Sequence, residues 1–526
     1  MAHRDFLYST CQRPAGIRSH NVTKPGDPMS NHPRLPDVVD GFGPLRPTAL
    51  PAVAKTMRRG RELVLPDLDA AIRALGLKDG AVLSFHHHLR NGDAVLNAVV
   101  DAAARAGLRN LHIAASSIFP VHAPLVSHME SGVVTGLCTN YLSGPVAEAV
   151  SRGVLDRPVV LRTHGGRARA IRAGDLKIDA AFVAAPSADP MGNISGTEGP
   201  RACGVLGYPQ CDVRFADKVV AVTDTLVDFP AQRIQIGQEH VDLVALVPSL
   251  GDVSGILSGT TRPSEKPADL EIARNAARVI EAAGLLVDGF SLQNGAGGAS
   301  LATAAAVGRR MTDLGVTGSF ASGGITGFHV DMLEAGLFRS LLDVQCFDLR
   351  AIESLRADPR HQSMSASMYA NPHERGAVVD RLDAVVLGAT EIDLDFNVNV
   401  TTRADGIIAG GSGGHADTAA GAKLAIVTTK LTAAGFPKLV ERLGTLTTPG
   451  RSVDVVVTDA GIAVNPARAD LADRLAFAGL APVPIADLHR RALAQAERRP
   501  VHVREGDVVA VSEYRDGTVT DLIRRV

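Results

Sequence analysis

Net positive charge is missing from this chain, because 54 lysines and arginines stand against 56 aspartates and glutamates, for a formal net charge of −2. Proteins that bind nucleic acid need a basic surplus to neutralise phosphates, so this balance argues against that class. The chain also lacks an apolar run of the ~20 residues that span a bilayer, and its start lacks the apolar segment of a secretory signal. We therefore predict a cytoplasmic protein that binds neither nucleic acid nor membrane.

Cysteine is scarce and scattered. The five cysteines are Cys11, Cys138, Cys203, Cys211 and Cys346, and no two of them form a CxxC pair. This spacing predicts neither a disulfide framework nor a zinc site, and it indicates reduced, mostly buried thiols. Tryptophan is absent, whereas glycine occurs 52 times. So many glycines indicate tight turns and places where the backbone approaches a ligand closely.

The pattern of the chain is that of a large globular protein. At 526 residues, 45% hydrophobic and 21% charged, it is too long for one ordinary core. The predicted strands are 81–85, 157–163, 180–186, 218–224 and 453–464, and the predicted helices include 93–108 and 467–479. Alternation of strands and helices predicts an α/β fold with mostly parallel sheets.

A weak internal repeat indicates two related α/β domains in tandem. The segments 185–193 and 389–397 share the pattern A-x3-D-x3-N, and 81–108 resembles 289–316 at nearly the same offset. Chance similarity between common α/β patterns is the alternative. We predict a flexible lead-in over 1–45, a first domain over 46–262 and a second over 263–526. The C-terminal segment is assigned to the second domain, and the proline-containing stretch 260–271 marks the boundary. Met29 is an alternative translation start.

Two glycine clusters each follow a predicted strand and precede a predicted helix. The first is Gln293-Asn294-Gly295-Ala296-Gly297-Gly298, and the second is Gly410-Gly411-Ser412-Gly413-Gly414-His415. Such a turn directs free backbone N–H groups into one pocket, which suits a phosphate, a carboxylate or an oxyanion. The second cluster also fits G-x-G-x-x-A, but no acidic residue follows about 20 positions later, as a dinucleotide site requires. Glycines that serve only close helix–strand packing are the remaining alternative.

Histidines and arginines follow two further predicted strands. His86, His87 and His88 are adjacent, so on an extended segment they alternate in direction and at most two can bind one metal ion. We favour a structural or anion-binding role for them. The segment RTHGGR at 162–167 suits a carboxylate or phosphate, with solvated surface as the alternative. No GxSxG or Cys–His signature supplies a nucleophile, which fits a substrate that brings its own.

Long, distinctive sequence segments occur from about residue 63 to the C-terminus. They include SFHHHLRNGD, GVVTGLCTNYLSGPV, VLRTHGGRARAI, GAGGASLA, LGATEIDLDFNVNV, GGSGGHADTAAGAKLAI and VTDAGIAVNP. Together they resemble the citrate lyase alpha subunit family. The resemblance implies two coenzyme A-transferase-type α/β domains and the exchange of acetyl-carrier plus citrate for citryl-carrier plus acetate. It also implies an oligomeric complex with a beta subunit that cleaves citryl-carrier and a gamma subunit that bears a phosphoribosyl-dephospho-CoA arm, with acetyl-CoA as a surrogate donor.

One departure from related coenzyme A-transferases bears on mechanism. Those that work through a glutamyl thioester carry a Glu near such a glycine turn, where this chain has Gln293. An amide cannot accept the acyl group, so we predict a ternary complex and a mixed anhydride. The expected catalytic residues are Gln293, Gly297, Gly298, Gly411, Gly413 and Gly414. The expected substrate-binding residues are Arg90, His164, Arg167, Asn294 and His415, since a trianion calls for cations, and no metal is predicted.

Three other functions stay open. A citramalate lyase alpha subunit, or a stand-alone acyl-CoA:carboxylate transferase, would share the fold, and the sequence does not distinguish the acids. A non-catalytic scaffold subunit of a lyase complex is the rival from another class. A scaffold needs neither glycine cluster, which argues against it.

Overall fold

The computed structural model describes residues 38–39, 43–44, 63–257, 263–295, 297–502 and 505–526. The chain forms two compact units, Met1–Met57 and Arg58–Val526. In the first unit, β1 (Val38–Val39) and β2 (Gly43–Pro44) pair antiparallel. The remainder of the predicted lead-in over 1–45 lies outside the described residues, as does Cys11.

The first sheet of the larger unit has ten strands. In chain order the next strands are β3 (Val64–Leu65), β4 (Val82–Phe85), β5 (Leu111–Ala115), β6 (Val134–Thr139), β7 (Val159–Leu161), β8 (Ala180–Ala184), β9 (Ser187–Ala188), β10 (Ile194–Ser195), β11 (Lys218–Thr223) and β12 (Leu243–Leu246). The sheet runs β7-β6-β5-β4-β8-β11-β12-β3 with every pair parallel, while β9 and β10 form a separate antiparallel pair. All five residues of β8 are buried, as expected for a parallel strand covered on both faces.

The described residues of this half of the chain form six α-helices. They are α1 (Leu68–Leu75), α2 (Val95–Arg105), α3 (Leu125–Glu130), α4 (Pro145–Ser151), α5 (His164–Ala173) and α6 (Pro209–Phe215). The local sequence sets the ends of α1: the Asp67 side chain accepts the N–H of Ala70 at 2.7 Å, and Gly76 stops the helix with a left-handed φ of 61°. Thr163 begins α5 in the same way, since its hydroxyl accepts the N–H of Gly166 at 2.8 Å.

A second, eight-stranded sheet follows. Its half of the chain contains β13 (Ser291–Asn294), β14 (Gly318–Ile325), β15 (Phe338–Cys346), β16 (His361–Ser363), β17 (Ala384–Gly388), β18 (Glu391–Ile392), β19 (Val398–Asn399), β20 (Leu424–Thr428), β21 (Thr432–Ala433), β22 (Phe436–Pro437), β23 (Val455–Thr458) and β24 (Gly461–Val464). Its helices are α7 (Pro267–Ala282), α8 (Gly298–Leu314), α9 (Gly327–Glu334), α10 (Leu349–Ala357), α11 (Ala366–Ala370), α12 (His415–Gly421), α13 (Ala469–Phe477) and α14 (Ile485–Gln495). The sheet runs β16-β15-β14-β13-β17-β20-β23-β24, and only β24 is antiparallel to its neighbour.

The two sheets share one strand order. In each, the first central strand (β4 or β13) has the next three strands on one side and the following three (β8, β11, β12 or β17, β20, β23) on the other. The repeated A-x3-D-x3-N segments also fold alike, because Asp189 accepts the N–H of Asn193 and Asp393 accepts that of Asn397. The predicted α/β class with mostly parallel, related halves is confirmed. The boundary at residues 262 and 263 stays a prediction.

Two details differ from expectation. The predicted strand 453–464 is a hairpin of β23 and β24, because a two-residue turn at Asp459 and Ala460 reverses the chain between Thr458 and Gly461. The C-terminal residues form β25 (Val508–Glu513) and β26 (Val519–Arg524), and β25 pairs in parallel with β7 of the first sheet. These strands therefore extend the first sheet and not the second, because the β7 edge offers the free ladder of N–H and C=O groups.

The described residues contain no membrane-spanning helix and no disulfide. All their helices are too short or too polar to cross a bilayer. Cys138, Cys203, Cys211 and Cys346 are unpaired thiols, and all but Cys138 are buried.

Candidate functional site

Some of the predicted site residues lie at the switch points of the two sheets. A switch point is the gap between two central parallel strands whose connections leave in opposite directions, and ligands of such sheets bind outside the carboxyl ends there. In the first sheet this gap lies between β4 and β8, and His86 to His88 follow β4 directly. In the second it lies between β13 and β17, and Gln293 and Asn294 end β13.

The second glycine cluster, 410–414, links the two halves, and we call it the glycine loop. The Gly413 N–H donates to the Asn140 carbonyl at 3.2 Å, and the Gly413 carbonyl accepts the N–H of His164 at 2.8 Å. A Cβ on Gly411 would lie 2.3 Å from the Asn140 carbonyl oxygen, so only glycine permits this approach. Residues 405–411 are irregular, and the expected strand before the loop is absent from them. The Ile408 N–H bonds instead to the Ser151 hydroxyl at 2.9 Å.

Some of the predicted backbone donors are free and others are engaged. Among the described residues, the N–H groups of Gly411, Gly414 and Gly298 donate no hydrogen bond. The Gly413 N–H is taken by Asn140, and the Gly297 N–H donates to the Gly295 carbonyl at 3.0 Å. Three of the five predicted glycines therefore offer a donor for a ligand.

Gln293 is buried with one polar end unpaired. Its Nε2 donates to the Tyr369 hydroxyl at 2.7 Å, while its Oε1 has no partner. A half-turn of the amide would only exchange the two ends, so one hydrogen-bonding group remains available in either orientation. A Cβ on Gly414 would lie 2.3 Å from the same Tyr369 hydroxyl. Tyr369 thus connects Gln293 to the glycine loop, and burial raises the pKa of its hydroxyl, which keeps it protonated.

His164 lies beside the loop as a neutral imidazole. Burial, followed by the charges of Arg167 and Arg90, lowers its pKa to about 3. Its ring packs on Tyr208 at 4.7 Å and, in nearly parallel planes, on His87 at 6.1 Å. Its Nδ1 has no partner, so His164 offers a hydrogen bond but no charge to a substrate.

Arg90 is a cation without an ion pair among the described residues. Its guanidinium lies 4.3 Å from the centre of the Phe347 ring and 5.4 Å from that of Phe119, and its Nε has no partner. Burial lowers its pKa to about 10, so it stays charged at neutral pH. Arg90 and Tyr141 line a cavity of about 990 Å³. A Cβ on Gly411 would lie 3.0 Å from the Tyr141 Cα, which places the glycine loop next to this cavity.

Three of the predicted substrate ligands are tied to other residues. Arg167 forms a buried two-point ion pair with Asp212, Nη1 to Oδ1 at 2.7 Å and Nη2 to Oδ2 at 2.5 Å. His415 hydrogen bonds to Thr448 Oγ1 at 2.8 Å and to the Gly388 carbonyl at 2.9 Å. The Asn294 Oδ1 is 3.0 Å from His329 Nε2. These contacts orient the loops and leave little hydrogen-bonding capacity for a substrate.

The three adjacent histidines alternate in direction, as expected. The rings of His86 and His88 meet edge-on at 5.6 Å, whereas His87 packs on Tyr208 at 4.7 Å. Both ring nitrogens of His86 and of His88 are buried without a hydrogen-bond partner. Burial is the main reason that the pKa of each is lowered, so both rings are neutral.

Asp417 fixes the relative positions of α5 and α12. Its Oδ1 accepts the Thr163 hydroxyl at 2.8 Å, and its Oδ2 accepts the Gly165 N–H at 2.9 Å, so it contacts both neighbours of His164. Burial raises the pKa of Asp417 to about 6. Arg515 Nε lies 3.8 Å away, from the C-terminal segment.

Four residues of the site escaped the sequence analysis: Asn140, Tyr208, Tyr369 and Asp417. Asn140 ends the string TGLCTN after β6, and Asp417 lies two residues past His415, so both stood next to recognised patterns. Tyr208 and Tyr369 belong to no local motif, and only tertiary packing brings them together.

Buried polar atoms without partners mark where a ligand would bind. Asn140 Oδ1, Gln293 Oε1 and His164 Nδ1 all lack a partner, and each of their residues contacts the glycine loop or its neighbour Tyr369. Buried polar groups are normally hydrogen-bonded, so several orphans around one loop indicate a polar ligand. The arrangement offers neutral hydrogen-bonding groups, free backbone N–H donors and one free arginine, which suits an anion and a developing oxyanion.

Comparison with known proteins gives one answer. The family model for the citrate lyase alpha subunit matches residues 61–526. The chain is 45% identical over 477 residues to the citrate lyase alpha chain of Klebsiella pneumoniae, covering 90% of this chain and 94% of that one. It is 47% identical to the Escherichia coli alpha chain over 461 residues, covering 88% and 90%.

Solved structures agree. The putative alpha subunit of citrate lyase from Streptococcus mutans, in complex with citrate, superposes with a TM-score of 0.86 at 45% identity, covering 88% of this chain and 91% of that one. A Pseudomonas malonate decarboxylase hetero-tetramer shares the fold alone, with a TM-score of 0.61 at 19% identity over 83% of this chain and 88% of that one. The matches span nearly the whole described chain, and the protein belongs to the citrate lyase alpha subunit family.

Proposed function

We propose that this chain exchanges acetyl for citryl on the thiol of a carrier protein: acetyl-carrier plus citrate gives citryl-carrier plus acetate. The observation that carries the proposal is the amide of Gln293 at the switch point of the second sheet, beside the free N–H groups of the glycine loop. An acyl transferase that uses its own carboxylate would need Glu at that point. Here the nucleophile must come from the substrate.

The reaction then needs two acyl transfers. A citrate carboxylate oxygen attacks the acetyl thioester carbonyl, the C–S bond breaks, and the carrier thiolate leaves, giving a mixed citryl–acetyl anhydride. The thiolate then attacks the citryl carbonyl and acetate departs. Both steps pass through a tetrahedral oxyanion, and one well-placed N–H donor stabilises such a charge by ~3–4 kcal/mol. Gly298, Gly411 and Gly414 are the candidate donors.

Substrate binding falls to the residues that remain unpaired. Arg90 supplies a positive charge at the wall of the cavity, and it suits a citrate carboxylate because it forms no ion pair with a described carboxylate. His164 Nδ1 and Gln293 Oε1 or Nε2 provide neutral hydrogen bonds that orient the acid. Holding both reactants in one site lowers the barrier through proximity.

The acyl donor and the partners follow from this role. We expect a carrier-bound phosphoribosyl-dephospho-CoA arm on a gamma subunit, with free acetyl-CoA as its surrogate. We also expect a beta subunit that cleaves the citryl-carrier to oxaloacetate and acetyl-carrier. We also expect a cytoplasmic oligomeric complex.

The test is mass spectrometry of the purified chain incubated with acetyl-CoA and citrate, with citramalate in a parallel tube. Citryl-CoA and acetate formed together support the transferase, and the relative rates distinguish citrate from citramalate. Exchange only after carrier protein is added means that the protein-bound arm is required. No exchange with carrier and either acid would overturn the proposal in favour of a scaffold subunit.

A further inference from the structure

A group of metal-binding side chains lies at the carboxyl end of β15, outside the glycine loop. Asp343 and Cys346 end this strand, and His361 begins the neighbouring strand β16. Asp343 Oδ2 is 3.0 Å from Cys346 Sγ and 3.1 Å from His361 Nε2. One ligand atom from each residue lies within 4.8 Å of the other two.

The group is buried and short of positive charge. Asp343 and Cys346 are each 0% exposed, and His361 is 3% exposed. Among the described residues, no arginine or lysine forms an ion pair with Asp343. The one side chain that pairs with Asp343 there and can carry a positive charge is His361. A buried carboxylate is costly unless a cation compensates it. One carboxylate and one thiolate would together balance a divalent cation.

We propose that Asp343, Cys346 and His361 bind a zinc ion. Thiolate, imidazole and carboxylate are the donors that zinc takes in proteins, and magnesium or calcium would not select the thiol. Tetrahedral zinc with bonds of about 2.0–2.3 Å holds neighbouring ligand atoms roughly 3.3–3.7 Å apart. The two distances from Asp343 Oδ2, to Cys346 Sγ and to His361 Nε2, need to lengthen by only a few tenths of an ångström to admit the ion.

The surroundings of His361 fit a ligand that binds through Nε2. Its Nδ1 lies 3.1 Å from Ser354 Oγ, so an Nδ1–H can donate to that hydroxyl and leave the Nε2 lone pair facing Asp343 and Cys346. Metal-bound histidines are usually held in this way through the second nitrogen. Because the group is fully buried, the ion would enter as the chain folds.

Zinc here would stabilise a contact between the two halves of the chain. Gln345 lies between the two strand ligands, and its Nε2 donates to the His87 carbonyl at 2.6 Å. The spacing Asp-x2-Cys followed fifteen residues later by His is not a standard zinc signature, since the histidine comes from a neighbouring strand. The absence of a CxxC pair therefore gives no information about this group.

The test begins with the zinc content of the full-length chain, purified without chelator, by inductively coupled plasma mass spectrometry. We expect about one zinc per chain. Cys346→Ser and His361→Gln should each lose most of it, and Cys211→Ser, at another buried thiol, should keep it. Wild type without zinc, or C346S with as much zinc as wild type, would overturn the proposal.

A second measurement tests the site on the wild-type chain, so that it does not depend on whether the ligand variants fold. Wild-type protein unfolded in chelator and refolded with cobalt(II) should show a sulfur-to-cobalt charge-transfer band, which reports a thiolate ligand. C211S treated in the same way should show an equal band. A refolded wild type without that band would mean that the three side chains form only a hydrogen-bonded group.

Discussion

The Thr163 hydroxyl donates a 2.8 Å hydrogen bond to Asp417 Oδ1, across 254 residues of sequence. The bond joins the start of α5 to α12, and with the 2.9 Å bond from the Gly165 N–H it secures both neighbours of His164. The geometry of the candidate site thus depends on one buried carboxylate.

We predict that Asp417→Asn weakens the pH dependence of stability between pH 4 and 6. Burial raises the pKa of Asp417 from 3.8 to about 6 in the folded chain, so folding favours the protonated form. This contribution is fully present below the unfolded pKa and is lost as pH rises through 6. The amide keeps an acceptor for Gly165 and cannot ionise.

Chemical denaturation at a series of pH values checks this prediction. Between pH 4 and 6 the unfolding free energy of wild type should fall relative to that of D417N, by about 1–3 kcal/mol over the window. Parallel curves for the two proteins would contradict the assignment of the raised pKa to Asp417.

We predict that Gln293→Glu gains a covalent intermediate. A carboxylate there would attack the acetyl thioester and release the thiolate, which gives a glutamyl–acetyl anhydride. The thiolate would then attack the glutamyl carbonyl, so that acetate leaves and a glutamyl thioester forms. Borohydride reduction followed by peptide mass spectrometry detects such a thioester. Wild type and Gln293→Ala should show none, and a thioester on the wild-type chain would contradict the mixed-anhydride route.

We predict that Arg90→Gln lowers kcat/KM for citrate about 10–100-fold, since a hydrogen bond to a charged group contributes ~1.5–3 kcal/mol. Arg90→Lys should recover part of the loss, because it keeps the charge without the planar fork. Arg339→Gln, at an exposed position, is the matched control. Steady-state kinetics with acetyl-CoA and citrate measure all three, and equal values for R90Q and R339Q would exclude Arg90 from the site.

Arg167→Gln should behave differently from Arg90→Gln. It breaks a buried ion pair and strands Asp212, which costs about 3–5 kcal/mol of stability. Thermal unfolding measures this loss. A stable R167Q chain with a raised KM for citrate would instead indicate that Arg167 binds the substrate.

We predict that Gly414→Ala impairs exchange and that Tyr369→Phe partly restores it. The new Cβ would lie 2.3 Å from the Tyr369 hydroxyl, and removal of that hydroxyl makes room. The clash should cost ~1–3 kcal/mol, and the double variant should lose less than the sum of the two single ones. Gly376→Ala is the control, because a Cβ there meets nothing within 4 Å. Additive losses would show that the two residues do not touch.

The sequence was informative where local pattern decides structure. The run AAFVA could only be a strand buried on both faces, and it became β8. The first glycine cluster also follows a strand end, as predicted, because β13 ends at Asn294 before α8 begins at Gly298. Gln293 was found in this way.

The sequence failed where distant segments decide structure. Arg167 was expected to bind substrate because a trianion calls for cations, yet Asp212 on α6 pairs with it. Residues 405–411 have the apolar content of a strand, but the Ile408 N–H bonds to the Ser151 hydroxyl and not to a strand neighbour. Tyr369 gave no signal, because its contact with Gln293 depends on how α11 packs.

The pairing of β25 with β7 has a consequence for the order of synthesis. One side of β7 stays open while the ribosome makes every residue from Leu161 to Val508, and during that time it is a free edge that another strand can join. The first sheet therefore cannot be completed before the second half of the chain has been translated. A chain that is released from the ribosome after a late stall would have most of its core formed. Its β7 edge would still be unpaired, and it could pair with a strand of another chain and so aggregate.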